Sequence, residues 1–182
     1  MAIQLDSRRR APATLQARYP DATILDVTSR GPEPWVRLSP FYPHGDIPVP
    51  FSPGVTGQSV EGIWQALKVF DRADVDLSKL HLTSMRGLKR TSRALGDVRG
   101  HRRGVDGSAL LSYVDARRQV YLPTYRWVLE NKAADLVKTL RGLPGDVVLL
   151  DYTVNDDVDD VSRPLSHAAL VQRFVEGRWP ED

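Results

Sequence analysis

Between Gly31 and Thr56 the chain carries Pro32, Pro34, Pro40, Pro43, Pro48, Pro50 and Pro53, with Gly31, Gly45 and Gly54 among them. Each proline removes a backbone donor and fixes φ, so this spacing permits short strands and ordered loops but no helix between Gly31 and Thr56. Within it, Val36–Ser39 and Ile47–Val49 are strand candidates. The Pro40-Phe41-Tyr42-Pro43-His44 run reads as a rigid loop exposing two aromatic rings, with His44 beside them. Rigid aromatic loops can stack on flat substrates.

Outside that region the punctuation relaxes. Residues 22–28 read as a strand, preceded by a short helix over Ala13–Arg18. The segment from Ser59 to Phe70 has helical period, with Val60, Ile63, Trp64 and Leu67 forming an apolar stripe and Glu61, Gln65 and Lys68 a polar line beside it. Ser59 suits an N-cap, and the helix dipole then favours the anion at Glu61. The same pattern also suits an ordinary amphipathic helix. Further helices are expected over Ser84–Leu95, Gly107–Val120, Tyr121–Glu130 and Lys132–Leu140, ended by Gly142, Pro144 and Gly145. Asp146–Tyr152 is apolar enough to be a central strand, and Ser166–Glu176 reads as a closing helix with Ser166 as cap and Gly177 as stop. The mixed order implies an α+β fold, a single mainly helical domain over 1–182 around a small central sheet, with residues 1–10 as a loose N-terminal extension.

Composition excludes several chemistries. The 182 residues include no cysteine, so disulfides, thiolate metal sites and a cysteine nucleophile are ruled out. His44, His81, His101 and His167 show no metal-ligand spacing, and neither a metal nor a cofactor is expected. No apolar run has spanning length and no secretory signal is visible, so a cytoplasmic protein without a membrane partner is expected. The net charge of +2 hides an uneven distribution. Lys79, Arg86, Lys89, Arg90, Arg93, Arg99, Arg102 and Arg103 crowd one segment with Asp97 as its one acid, whereas residues 151–160 carry Asp151, Asp156, Asp157, Asp159 and Asp160 without a base. Such a pair of segments suits a phosphate-bearing substrate meeting an acid/base site, or two solvated faces of opposite sign.

Three stretches resemble the NADAR or YbiA-like N-glycosidases. Leu38-Ser39-Pro40-Phe41 is similar to the family's Leu-Ser-Asn-Phe loop. Ser59, Glu61, Gln65 and Lys68 fall in register with its Ser-x-Glu-His-x-x-Gln-x-x-Lys-Phe helix, with Gly62 where the family has histidine. Leu149 to Asp156 is similar to its Leu-Val-Glu-x-Thr-x-Asn-Asp strand and loop. The family's Trp-Gly pair after that loop is missing, as is the tryptophan after its basic segment, where Leu95-Gly96 leads instead to His101, Arg102 and Arg103. Phe41, Tyr42 or Trp64 would have to supply the lost ring.

The resemblance implies a hydrolase of a ribose–nitrogen bond. Glu61 would activate water and stabilise an oxocarbenium-like sugar, and Asp156 would hold ribose hydroxyls or the leaving nitrogen. Ser39, Phe41, Tyr42, His44, Gln65, His101, Asp151 and Asn155 would line the substrate, with Lys68, Lys89, Arg90 and Arg102 on its phosphates. The implied partner is ADP-ribosylated nucleic acid, with the base guanine in DNA, or a phosphorylated small molecule such as a riboflavin-pathway intermediate. A non-catalytic nucleotide or nucleic-acid binding module is the reading from a different class, for which the lost tryptophans argue.

Overall fold

The computed structural model describes residues 2–180. In chain order they form β1 (Ile3–Ser7), α1 (Pro12–Arg18), β2 (Thr23–Asp26), a 3-10 turn (Trp35–Leu38), β3 (Ile47–Pro48), β4 (Thr56–Gly57), α2 (Val60–Leu67), β5 (Lys68–Phe70), a second 3-10 turn (Leu77–His81), α3 (Ser92–Leu95), β6 (Val98–Arg102) and β7 (Leu110–Leu111). There follow α4 (Tyr113–Ala116), a π-helical segment (Arg117–Tyr121), α5 (Leu122–Asn131), α6 (Ala134–Gly142), β8 (Val147–Asp151) and α7 (His167–Val175). The fold class is α+β, as the mixed order of elements implies. None of these helices is long and apolar enough to cross a membrane.

The chain divides into two compact units, one made of residues up to Ser39 and from Asn131 onward, the other of Pro40–Glu130. The first is built on a parallel sheet in the order β1-β8-β2. All five residues of β8 are buried, which explains the unbroken apolar run Val147–Leu150 before Asp151: a strand covered on both faces does not alternate. On one face Leu15 of α1 meets Val148 and Leu150, with Tyr19, Ala22 and Ile24 around them. Against β8 and β1 also lies α7, itself in contact with α6. Burying side chains of this size stabilises by about 1.5–3 kcal/mol each.

One buried polar cluster closes this unit. Asp151, at the end of β8, accepts hydrogen bonds from Ser166 Oγ (2.8 Å), Ala168 N (3.3 Å) and Tyr152 N (2.7 Å), and its Oδ2 lies 3.0 Å from His167 Nδ1. The other ring nitrogen, Nε2, is 2.9 Å from the Val27 carbonyl. A carboxylate and a carbonyl both accept, so both nitrogens donate and the imidazole is charged. Burial opposes that charge, but Asp151 outweighs it and raises the His167 pKa; burial likewise works against Asp151, which His167 and the donated hydrogen bonds hold below the usual carboxylate value.

The second unit holds two small antiparallel sheets, β3-β4 and β5-β6-β7, with α2 packed on the second 3-10 turn, β4 and β6. Gly62 makes that approach possible: a Cβ there would lie 2.7 Å from the Lys79 carbonyl oxygen.

Several expectations need correction. Val36–Ser39 is not a strand: Pro34 takes a helical conformation, and its carbonyl accepts Arg37 N at 3.2 Å while the Val36 carbonyl accepts Ser39 N at 2.9 Å, closing a 3-10 turn inside the proline-rich stretch. The helix at Ser59 ends at Leu67 rather than Phe70, because Lys68–Phe70 pair with β6, Lys68 opposite His101. Only Ser92–Leu95 of the expected Ser84–Leu95 helix forms; Gly87 sits at φ +75° and the Arg90 backbone is drawn onto the Gln65 side chain. Gly107–Val120 begins with β7 before turning helical. The expected loose extension over residues 1–10 contains a strand instead: Ile3–Ser7 runs parallel to β8 in register from Ile3 with Val147 to Ser7 with Asp151.

The His167–Asp151 pair predicts a pH dependence. A raised histidine pKa contributes stability fully present below the unfolded value of about 6.5 and lost as pH rises through the folded value. Denaturant unfolding should show stability declining above about pH 6.5, and His167→Gln should abolish that decline while costing about 3–5 kcal/mol, since it strands a buried carboxylate. A decline that persists unchanged in the variant would rule out a charged His167.

Candidate functional site

The N-terminus of α2 holds the carboxylate that the sequence singles out. Ser59 caps the helix, its Oγ accepting Gly62 N at 2.9 Å, and Glu61 N donates to the Pro40 carbonyl at 2.8 Å. The Glu61 residue is buried, and its Oε1 accepts Gln65 Nε2 at 2.8 Å, the i,i+4 spacing read from the sequence. Gln65 Oε1 in turn accepts Arg90 N at 3.0 Å. One amide therefore joins the carboxylate to the basic segment, and a hydrogen bond to a charged group of this kind is worth about 1.5–3 kcal/mol.

Arg90 does not present a free cation. Its guanidinium donates to the carbonyls of Gln65 (3.1 Å), Lys68 (2.5 Å) and Asp74 (2.6 Å) and lies 4.9 Å from the Phe70 ring centroid. It ties off the end of α2. Lys68, half-buried, caps the end of α2 and opens β5. Burial pulls its pKa below the ordinary lysine value; the Glu61 charge pulls back, and Arg90 and Lys89 add to the lowering. Lys89 is exposed, its ammonium 5.6 Å from the Phe41 ring. With Asp74, Asp76, Lys79, Arg90 and Thr91 it lines an open depression of about 480 Å³. Arg102 is held by Asp74 Oδ1 at 2.8 Å and the Ser108 carbonyl.

Behind Trp64 lies an aromatic cluster. The Trp64 and His101 ring centroids are 3.7 Å apart, and Tyr113 and Tyr121 meet Trp64 edge-on at 5.5 and 5.6 Å. Trp64 is buried, as its place on the apolar stripe implies. His101 is completely buried, and neither ring nitrogen has a hydrogen-bond partner among the described residues. Burial, with the Lys68 charge adding to it, pushes its pKa down to about 3. His101 is thus a neutral, stacked ring inside the unit, not the surface contact to substrate expected of it. In the Pro40–His44 loop the rings of Phe41 and Tyr42 are half-buried rather than exposed, with Tyr42 and His44 4.8 Å apart; Ser39 before it is buried.

In the other unit, the late loop spends its polar groups on its own shape. Asn155 Nδ2 donates to the carbonyls of Asp160 (3.1 Å) and Arg163 (3.3 Å), while Oδ1 accepts Asp157 N (3.1 Å). Asp156 is exposed and ion-paired with Arg173 at 2.8 Å. Asp151 is the buried partner of His167 already described. The structure therefore brings Glu61, Gln65, Lys68 and Arg90 together within one unit, and Asp151, Asn155 and Asp156 within the other. The sequence reading gave His167 no part beyond its lack of metal-ligand spacing; the signal was its place directly after the Ser166 cap, where its side chain turns in against Asp151 of the preceding strand. Among the described residues, no group of three or more His, Asp or Glu could hold a metal ion.

The chain belongs to a family of unknown function, DUF6939, whose model matches residues 7–171. No curated protein and no solved structure matches it.

The depressed His101 pKa has the opposite consequence to that of His167. Its contribution is fully present above the unfolded value of about 6.5 and is lost as pH falls toward about 3. His101→Phe keeps the stacked ring and removes two unpaired nitrogens, so it should match or exceed the parent's stability at neutral pH and shift the acid-unfolding midpoint, followed by circular dichroism, to lower pH. A variant that unfolds at higher pH than the parent would show that His101 nitrogens are used.

Proposed function

We propose that this member of DUF6939 is an N-glycosidase that hydrolyses a ribose–nitrogen bond, with ADP-ribose on a nucleobase as its substrate. The observation that carries the reading is the buried Glu61 carboxylate, fixed by Gln65 and neighboured by a lysine of lowered pKa. In the reaction the C1′–N bond breaks, water supplies hydroxide to C1′, and the leaving nitrogen takes a proton. A carboxylate suits both demands of such a step: it orients and deprotonates the water, and its charge stabilises the oxocarbenium-like sugar in a low-dielectric setting. Gln65 restricts the carboxylate to one orientation, and Lys68 and Lys89 supply positive charge for a diphosphate.

One observation favours the alternative of a binding module without turnover: Asp151, Asn155 and Asp156 all already have partners in their own unit. Activity separates the two. ADP-ribosylated single-stranded DNA incubated with the protein should release free ADP-ribose, and Glu61→Gln, which keeps size and shape, should slow release by about 10²–10⁴-fold. Unchanged release by Glu61→Gln removes Glu61 from the chemistry; saturable binding with no release supports the binding module.

A further inference from the structure

The parallel sheet has a second feature that the reading above does not use. Strands β1 and β8 are neighbours, but the chain leaving them goes to opposite faces. After β1 it enters α1, whose Leu15 covers Val148 and Leu150. After β8 it leads to α7, whose first turn binds Asp151, a position on the other face because side chains alternate along a strand. In open α/β sheets, ligands bind at the carboxyl ends of parallel neighbours whose connections diverge in this way.

Two segments leave that carboxyl edge: Arg8, Arg9 and Arg10 directly after β1, and Tyr152 directly after β8. Arg8 N donates to the Asp151 carbonyl at 2.9 Å, which fixes the two segments side by side. The Arg8 and Arg9 guanidinium carbons lie 5.6 and 5.9 Å from the Tyr152 ring centroid, and Tyr152 is 40% exposed. The charges are unequally spent. Arg8 is paired with Asp26 at 2.8 Å, and Arg10 with Asp6 at 2.6 Å. Asp6 is buried and also accepts the Tyr19 hydroxyl, so it offers nothing more to the surface. Arg9 is exposed and has no carboxylate partner among the described residues.

We propose that this carboxyl edge binds a nucleoside phosphate, its base stacked on the Tyr152 platform and its phosphate on Arg9. An accessible aromatic ring flanked by guanidinium groups offers a stacking face and a bidentate phosphate donor together, which is the chemistry of a single nucleotide unit. A phosphopeptide would use the cation and leave the ring idle. The unit can come from a free mononucleotide or from a single-stranded nucleic acid. The site lies wholly within the first unit and involves neither Glu61 nor its neighbours, so it stands or falls apart from the proposed activity.

The test is fluorescence anisotropy of a labelled oligothymidylate of about ten nucleotides titrated with the full chain over a range of salt. Saturable binding that weakens with salt is expected. Arg9→Ala should weaken it and reduce the log–log salt slope by about one. Tyr152→Ala should weaken it about tenfold, while Tyr152→Phe retains it. Competition by millimolar thymidine monophosphate would identify a mononucleotide site, and its failure beside tight strand binding would identify a strand site. Both side chains are on the surface, so melting curves of the variants should match the parent. Absence of binding to strand and mononucleotide alike, or parental binding by both Arg9→Ala and Tyr152→Ala, overturns the proposal.

Discussion

The Asp151 carboxylate is the interaction on which the first unit depends. It is a charge at the end of a wholly buried strand, and such a charge is tolerated only when donors surround it. Those donors come from three places: the hydroxyl and backbone of the α7 start, the next peptide, and His167, which carries the connection on to the Val27 carbonyl after β2. The requirement sets where α7 begins and how it meets the sheet. It also fixes the turn that leaves Tyr152 at the surface beside the arginines that follow β1.

Arg90 has the corresponding role in the second unit. By collecting the Gln65 and Lys68 carbonyls it satisfies acceptors that the end of α2 leaves unpaired, and so permits the helix to stop and the chain to turn into β5. Its backbone N–H meanwhile engages the Gln65 side chain that donates to Glu61. The helix end and the candidate carboxylate are therefore coupled through one glutamine. A basic residue that reads as available for phosphate in the sequence is committed to backbone oxygens in the fold.

The parts of the site that could be read from sequence are those set by local geometry. Ser59 as a cap, Glu61 in the first turn and Gln65 four residues later follow from the helical period, and the bond between the last two confirms the spacing. The illegible parts depend on distant partners. Lys68 left the polar line because β6 pairs with it across more than thirty residues of chain. His101 looked like a member of a basic surface segment, yet it pairs with Leu111 and packs against the Trp64 and Tyr113 rings in a buried space where a charge would be costly. His167 and Asp151 are each unremarkable in sequence and form a charged pair only when the sheet and α7 meet.

The amino-acid sequence by itself determined the elements whose signals are local: the central strand from its unbroken apolar run, the helices capped by Ser59 and Ser166, the α+β class, and the carboxylate of interest. These rest on backbone periodicity and capping, which act over a single turn or a few residues. The tertiary structure alone decided which ionisable groups are charged, which cations are spent, and that the first residues form a sheet strand. Those outcomes depend on burial and on partners far away in the chain, and no local pattern specifies either.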